Sequence, residues 1–122
     1  MHRVILTLLK QKTYSKKLKV LIDKGLFSRE EYDETINLYK KDPNDHKLRP
    51  HPIACKKGKS ITSITIPNTQ FRILITKNNC ESKYNILSWI GKHREYDIII
   101  KNQKNCKHLF LDCKELEKLD LA

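Results

Sequence analysis

Alternating apolar and polar positions mark the centre of the chain as two β-strands. The first run, residues 63–66, alternates serine and threonine with isoleucine, and the second, residues 71–76, puts phenylalanine and two isoleucines on one face. β-Branched residues dominate both runs, as strands prefer. Between them, Pro67 presets φ for a turn and Asn68 tolerates the difficult position that follows. The pattern therefore predicts a β-hairpin.

Other apolar runs predict further strands. Residues 85–90 are apolar enough for a central strand, which Gly91 is expected to end. Residues 4–9 fit a strand or the start of a buried helix, and are far too few to span a bilayer. Residues 97–101 hold three consecutive isoleucines and predict a late strand, while a short strand is expected around Ile53.

Helical spacing appears twice between the first strand and the hairpin. Apolar residues recur with helical period over residues 14–22, and Gly25 is a natural stop. Ser28 and Glu31 then match a capping box, and the second helix should end at the Asp-Pro pair of residues 42–43. A terminal helix over residues 106–119 is also expected, with one apolar face formed by Leu109, Cys113 and Leu116.

This order of elements predicts an α+β fold. An N-terminal strand and a helical hairpin should pack on a mainly antiparallel sheet of four to five strands, followed by the C-terminal helix. The length of 122 residues suits one domain, with a core of about residues 4–97 and an extension over residues 98–122.

The charge distribution favours a polyanionic partner. The formal net charge is +11 and the sequence pI is about 9.6, as in proteins that bind nucleic acid or acidic proteins. No Asp or Glu occurs between His46 and Cys80. The cationic side chains expected to contact an RNA backbone are Arg49, Lys56, Lys57, Lys59, Lys92 and Arg94.

The cysteines favour a reduced, cytoplasmic protein. The four, at positions 55, 80, 106 and 113, lack CxxC spacing, and no secretory leader pattern opens the chain. His46, His51 and Cys55 provide no evident fourth zinc ligand. The three glycines rule out a phosphate-binding glycine loop, so the sequence predicts neither a metal nor a cofactor.

Two histidines with basic neighbours, His51 and His93, suit phosphodiester chemistry near neutral pH. Arg72 offers a planar fork for a phosphate. RNA cleavage requires a base for the 2′-hydroxyl, cations for the pentavalent phosphate, and an acid for the leaving oxygen. Alternatively, His51 is an ordinary loop residue and His93 a strand terminator. Tyr96 is the better candidate for stacking on a base, because Trp89 lies within an apolar run and fits a core position.

The order of these motifs over about residues 4–97 resembles the RelE/ParE superfamily of bacterial toxins. The resemblance is to the RelE, YoeB and YafQ branch of ribosome-dependent, RNA-cleaving enzymes. Its members have a strand and helical hairpin ending near Asp-Pro, a segment similar to LRPHPI at residues 48–53, and an arginine in the second hairpin strand. A glycine and a basic or histidine residue then end the last core strand, as in IGKH at residues 90–93, and an aromatic residue follows.

The resemblance implies a metal-independent endoribonuclease that cleaves mRNA on the ribosome and is neutralised by an acidic antitoxin protein. It assigns catalysis to His51, Arg72, His93 and Tyr96, with either histidine as the base. The sequence departs from the family at Ser63 and Thr65, where charged residues are common. Two alternatives therefore remain: a ParE-like inhibitor of DNA gyrase, and a basic RNA- or ribosome-binding module of weak activity.

Overall fold

A computed structural model describes residues 7–53, 59–78, 85–95 and 109–122, without side chains for Lys59 and Asn78. The strand expected at residues 97–101 lies outside these ranges. The helices are α1 (Lys12–Asp23), α2 (Arg29–Lys41) and α3 (Cys113–Leu116), with a 3-10 turn at His46–Leu48. The strands are β1 (Leu8–Lys10), β2 (His51–Ile53), β3 (Lys59–Thr65), β4 (Phe71–Asn78), β5 (Asn85–Lys92) and β6 (Asp120–Leu121). Residues 93–95 are also helical.

The six strands form one mixed sheet in the order β2-β3-β4-β5-β1-β6. All neighbouring pairs are antiparallel except β1 and β5, which run parallel. The α+β class and the mainly antiparallel sheet are confirmed. The short strand expected around Ile53 is β2. The expected four to five strands were too few, because β6 has only two residues and gives no periodic signal.

The predicted local signals are present in the helical hairpin. Ser28 and Glu31 form a reciprocal capping box at the start of α2, with both hydrogen bonds at 3.0 Å. Gly25, at φ +71°, supplies the left-handed residue between the helices. The apolar faces of α1 and α2 pack on the sheet through buried residues that include Tyr14, Leu18, Tyr32, Ile36 and Tyr39.

The C-terminal segment packs on the second face of the sheet, the face opposite the two long helices, through residues between Leu109 and Leu119. Leu109 joins Ile61 and Leu74 in one cluster, and Leu116 joins Leu9 and Ile86 in another. Both faces of the central strands are therefore covered over part of their length, which explains why β4 is buried at consecutive positions from Ile73 to Thr76.

A buried polar network holds this segment against the sheet. Gln11 Nε2 donates to the carbonyl oxygen of Leu109 at 2.7 Å and to Ser88 Oγ at 3.0 Å. Ser88 Oγ in turn lies 2.7 Å from Thr76 Oγ1. The register between β4 and β5 shifts at Leu74/Ile75, as at a β-bulge, and the network lies beside this irregularity.

The expectation for the terminal helix was wrong in extent. Within residues 109–122, helix α3 covers only Cys113–Leu116, because Asp112 caps it and forms a capping box with Glu115. Leu109 and Leu116 are buried in different clusters, so their spacing did not mark one helical face. Cys113 is exposed and disulfide-bonded. This differs from the expected reduced state, since spacing along a chain does not show which cysteines the fold brings together.

Candidate functional site

Strand register brings two of the predicted site residues, His51 and Arg72, to one end of the second face. His51 of β2 pairs with Ser63 of β3, and Thr65 of β3 pairs with Arg72 of β4. Arg72 pairs on its other side with Gly91 of β5. Directly paired residues of antiparallel strands share a face, so this end of the second face carries polar and basic side chains.

Ser63 positions the arginine. Its side chain is fully buried, and its Oγ accepts a hydrogen bond from Arg72 Nη1 at 3.2 Å. Arg72 itself is half-buried, which limits the directions in which the guanidinium can turn. Ser63 stands where the resembled family often has a charged residue, and in this structure its hydroxyl orients the charged side chain of Arg72.

His51 and the start of the His93 turn lie on opposite sides of Arg72. β2, β3, β4 and β5 are consecutive in the sheet, so about 14 Å, or three strand spacings, separate the outer two strands. His51 is exposed on β2, and His93 is exposed in the helical turn that follows β5. The His93 backbone N–H donates to the Gln70 carbonyl oxygen at 2.9 Å, which fixes the start of this turn beside the β3–β4 hairpin.

A tight cluster supports the end of β5. A Cβ atom placed on Gly91 would lie 2.6 Å from two atoms of the Trp89 ring and 2.9 Å from Lys17 Nζ. Lys17 Nζ also lies 4.6 Å from the Trp89 ring centroid and 3.1 Å from a carboxylate oxygen of Glu95. Lys17 therefore links α1 both to the sheet and to the helical turn that begins at His93.

A basic cleft of about 510 Å³ adjoins this cluster of site residues. Thr65, the partner of Arg72, lies on its wall, so the cleft and the Arg72 position are contiguous. The residues that line the basic cleft are His46, Lys47, Arg49, Thr65, Pro67, Asn68 and Thr69. Arg49 and Asn68 have positive φ, at 46° and 64°.

The turn at Asn68 was predicted from the sequence. Proline precedes Asn68, and the Thr69 N–H donates to the Ile66 carbonyl oxygen at 3.1 Å, which closes a β-turn. Positive φ at the third residue is typical of a type II turn. The prediction that Asn68 takes the difficult position is confirmed.

The other predicted contacts are only partly described. Lys92 ends β5 and Arg94 follows it, and both side chains are exposed. Arg49 is exposed at the basic cleft. Lys59 begins β3, but its side chain is not described, and Tyr96, Lys56 and Lys57 lie outside the described residues. The structure therefore brings together the neighbourhoods of His51, Arg72 and His93, and leaves the place of Tyr96 open.

Sequence reasoning missed that Ser63 accepts a hydrogen bond from Arg72 and that Lys17 lies over Trp89. Strand alternation predicts which face of the sheet Ser63 and Trp89 occupy. That information becomes useful only when both faces of the sheet are known to be covered or to carry site residues. Trp89 is half-buried against the second-face cluster, in agreement with the expectation of a core position. Nothing in the local sequence of α1 indicated that Lys17 would reach β5.

The described parts of the chain contain no group of three or more His, Cys, Asp or Glu side chains placed to hold a metal ion. In these same parts, no helix combines the length and apolar character needed to cross a bilayer. Comparison with known proteins found no matching family model, no matching curated protein and no matching solved structure.

Proposed function

We propose that the protein is a ribosome-dependent, metal-independent endoribonuclease that cleaves mRNA. The observation that carries the proposal is the placement of His51, Arg72 and the start of the His93 turn across adjacent strands at one end of the second face. Such an arrangement supplies two proton carriers and a phosphate ligand. The resemblance in motif order to RelE-like toxins adds the ribosome and the antitoxin to the proposal.

The proposed chemistry is attack of the ribose 2′-oxygen on the adjacent phosphorus. One imidazole removes the 2′-hydroxyl proton, and the 5′-oxygen leaves as the other imidazole protonates it. In-line attack requires base and acid on opposite sides of the phosphorus, and His51 and His93 flank Arg72 from opposite sides. Arg72, oriented by Ser63, would stabilise the charge that develops on the phosphate.

The partners follow from charge and from the resemblance. A net charge of +11 favours binding to ribosomal and messenger RNA, and an acidic antitoxin would neutralise the same surface. In this proposal Tyr96 stacks on a base of the RNA. The protein acts in the cytoplasm. Because cytoplasmic proteins are usually reduced, activity should be measured both with and without a thiol reductant to show whether the disulfide at Cys113 affects it.

The test is mRNA cleavage in a purified translating system, with and without ribosomes. Because ribosomes need Mg²⁺ in the assay, the isolated protein is treated with EDTA and desalted beforehand, which tests for a tightly held metal other than Mg²⁺. Cleavage should require ribosomes, survive this treatment, and disappear in His93→Ala and His51→Ala. Lys24→Ala, an exposed change at the end of α1, should cleave as wild type does.

The result also separates the alternative functions. Absence of cleavage by a folded wild-type protein would refute the nuclease proposal. If DNA gyrase were inhibited instead, the ParE-like alternative would apply. RNA binding without cleavage, unchanged in His93→Ala, would indicate a binding module.

A further inference from the structure

We infer that the basic cleft is an anion-binding subsite for the phosphates of single-stranded RNA, next to the phosphate that is cleaved. The inference rests on the proposed function only for the identity of the polymer. The cleft, defined above by its lining from His46 to Thr69, is large enough at about 510 Å³ for a phosphate with its sugar. Its wall residue Thr65 pairs with Arg72, so the cleft lies beside the Arg72 position.

The charges that line the cleft have one sign. Lys47 and Arg49 are cationic, and among the described lining residues the others are neutral or histidine, with no Asp or Glu. A neighbouring cavity of about 470 Å³ shares Lys47 and Asn68 but is also lined by Glu31 and Glu34. That cavity is also lined by Lys41, so its charges balance, and a polyanion is therefore favoured on the Thr65 side over the α2 side.

The nearby acidic group does not neutralise the cleft cations directly. Asp45 Oδ1 accepts the backbone N–H of Lys47 at 2.9 Å and lies 3.9 Å from His46 Nδ1. Within the described residues, the Lys47 ammonium and the Arg49 guanidinium have no hydrogen bond or ion pair with a protein side chain. Both charges are thus available to a ligand.

The backbone of Arg49 supplies an independent argument. Arg49 ends the 3-10 turn in the left-handed region, at φ 46° and ψ 56°, where glycine is the favoured residue and asparagine is tolerated. An arginine there is strained, and within the described residues its side chain has no hydrogen bond or ion pair that compensates. The strain is explained if the side chain is present for a ligand.

The experiment measures binding of a fluorescent, 2′-O-methylated RNA hexamer, which cannot be cleaved through its 2′-oxygens, by anisotropy between 50 and 200 mM salt. Arg49→Gly and Lys47→Met should each weaken binding several-fold. Each should also reduce the slope of log K against log salt by about 0.7, as expected for one lost phosphate contact on a single strand. Arg49→Lys should retain most of the affinity. Lys118→Met, an equal loss of charge near β6 at the opposite edge of the sheet, should leave both quantities unchanged.

A second measurement tests the strain argument. Arg49→Gly should melt at the wild-type temperature or above it, although it binds RNA less tightly. A lower melting temperature would show that the arginine has a structural role and would overturn this argument.

Unchanged affinity and salt slope in both cleft variants would refute the subsite. Binding of a poly-glutamate peptide that weakens in the cleft variants, with hexamer binding insensitive to the same variants, would assign the cleft to an acidic protein and equally overturn the inference. Because the hexamer cannot be cleaved, weakened binding in the cleft variants would support the subsite even if the wild-type protein proved to be no nuclease.

Discussion

Gly91 is the position where a single methyl group should disturb both the fold and the candidate site. Its φ is not positive, so the backbone conformation accepts other residues, and the constraint is space. An alanine Cβ would lie 2.6 Å from the Cζ2 and Cη2 atoms of Trp89 and 2.9 Å from Lys17 Nζ. The flexible lysine can withdraw, whereas the indole ring is held between Gly91 and the second-face cluster.

Gly91→Ala should therefore behave as an overpacking change. Such changes cost about 1–3 kcal/mol of unfolding free energy, and for a domain of this size each kcal/mol lowers the melting temperature by about 4 °C. Trp89 is the one tryptophan in the chain, so displacement of its ring from Lys17 should change the fluorescence emission. Urea unfolding followed by fluorescence measures both effects.

Two controls isolate the cause. Trp89→Phe removes the ring atoms that clash, so Gly91→Ala should cost less unfolding free energy in the Trp89→Phe background than in the wild type. Because this background has no tryptophan, its urea unfolding is followed by circular dichroism. Gly25 has φ +71° and no neighbour within 4 Å of an added Cβ, so Gly25→Ala should be strained while Gly25→Asn is tolerated. At Gly91 the order should be reversed, with Gly91→Asn losing more unfolding free energy than Gly91→Ala. Wild-type stability and emission in Gly91→Ala would refute the packing described here.

Three further predictions concern the hydrogen-bond network and pH. Ser63→Ala removes the acceptor of Arg72 Nη1 and should lower the unfolding free energy by about 1 kcal/mol while weakening RNA binding; equal binding by the variant would contradict the positioning role. Burial raises the pKa of Tyr32 and of Tyr39 to about 12. The folded state then holds these protons more tightly than the unfolded state, so stability should fall as the pH rises above 10 toward 12, and tyrosine absorbance showing full ionisation near pH 10 in a folded protein would disprove this. The backbone N–H of Glu115 lowers the pKa of Asp112. The α3 cap should therefore persist below the ordinary aspartate pKa and be lost as the pH falls through the lowered pKa. The amide NMR shift of Glu115 would report this loss. Asp112→Asn should keep the cap and remove the pH transition.

Much of the local structure could be predicted because it depends on neighbouring residues. The capping box of Ser28 and Glu31 and the turn at Asn68 are set by residues three or fewer apart. Strand alternation likewise fixed which side chains of β4 share a face. These features are decided by backbone sterics and short hydrogen bonds, which the sequence shows directly.

The features that build the site depend on contacts between distant parts of the chain. The pairing of His51 with Ser63 and the reach of Lys17 to Glu95 follow from register and packing, and nothing near these residues in the sequence specifies them. The terminal helix was overestimated for a related reason. Leu109 and Leu116 are both buried against the sheet, in separate clusters. Their spacing of seven residues is also the spacing of one helical face, so the sequence pattern alone does not distinguish the two cases.

The position of β1 has a consequence for how the protein folds. This short strand lies between β5 and β6, and its following residue Gln11 bonds to Ser88, 77 positions away along the chain. Such non-local pairing is slow because a long loop must close before any contact compensates for it. The β3–β4–β5 meander can assemble early from near neighbours, whereas β1 can be inserted only after both flanking strands have been synthesised. Folding on the ribosome should therefore finish with β1, although it is synthesised before the other five strands of this sheet.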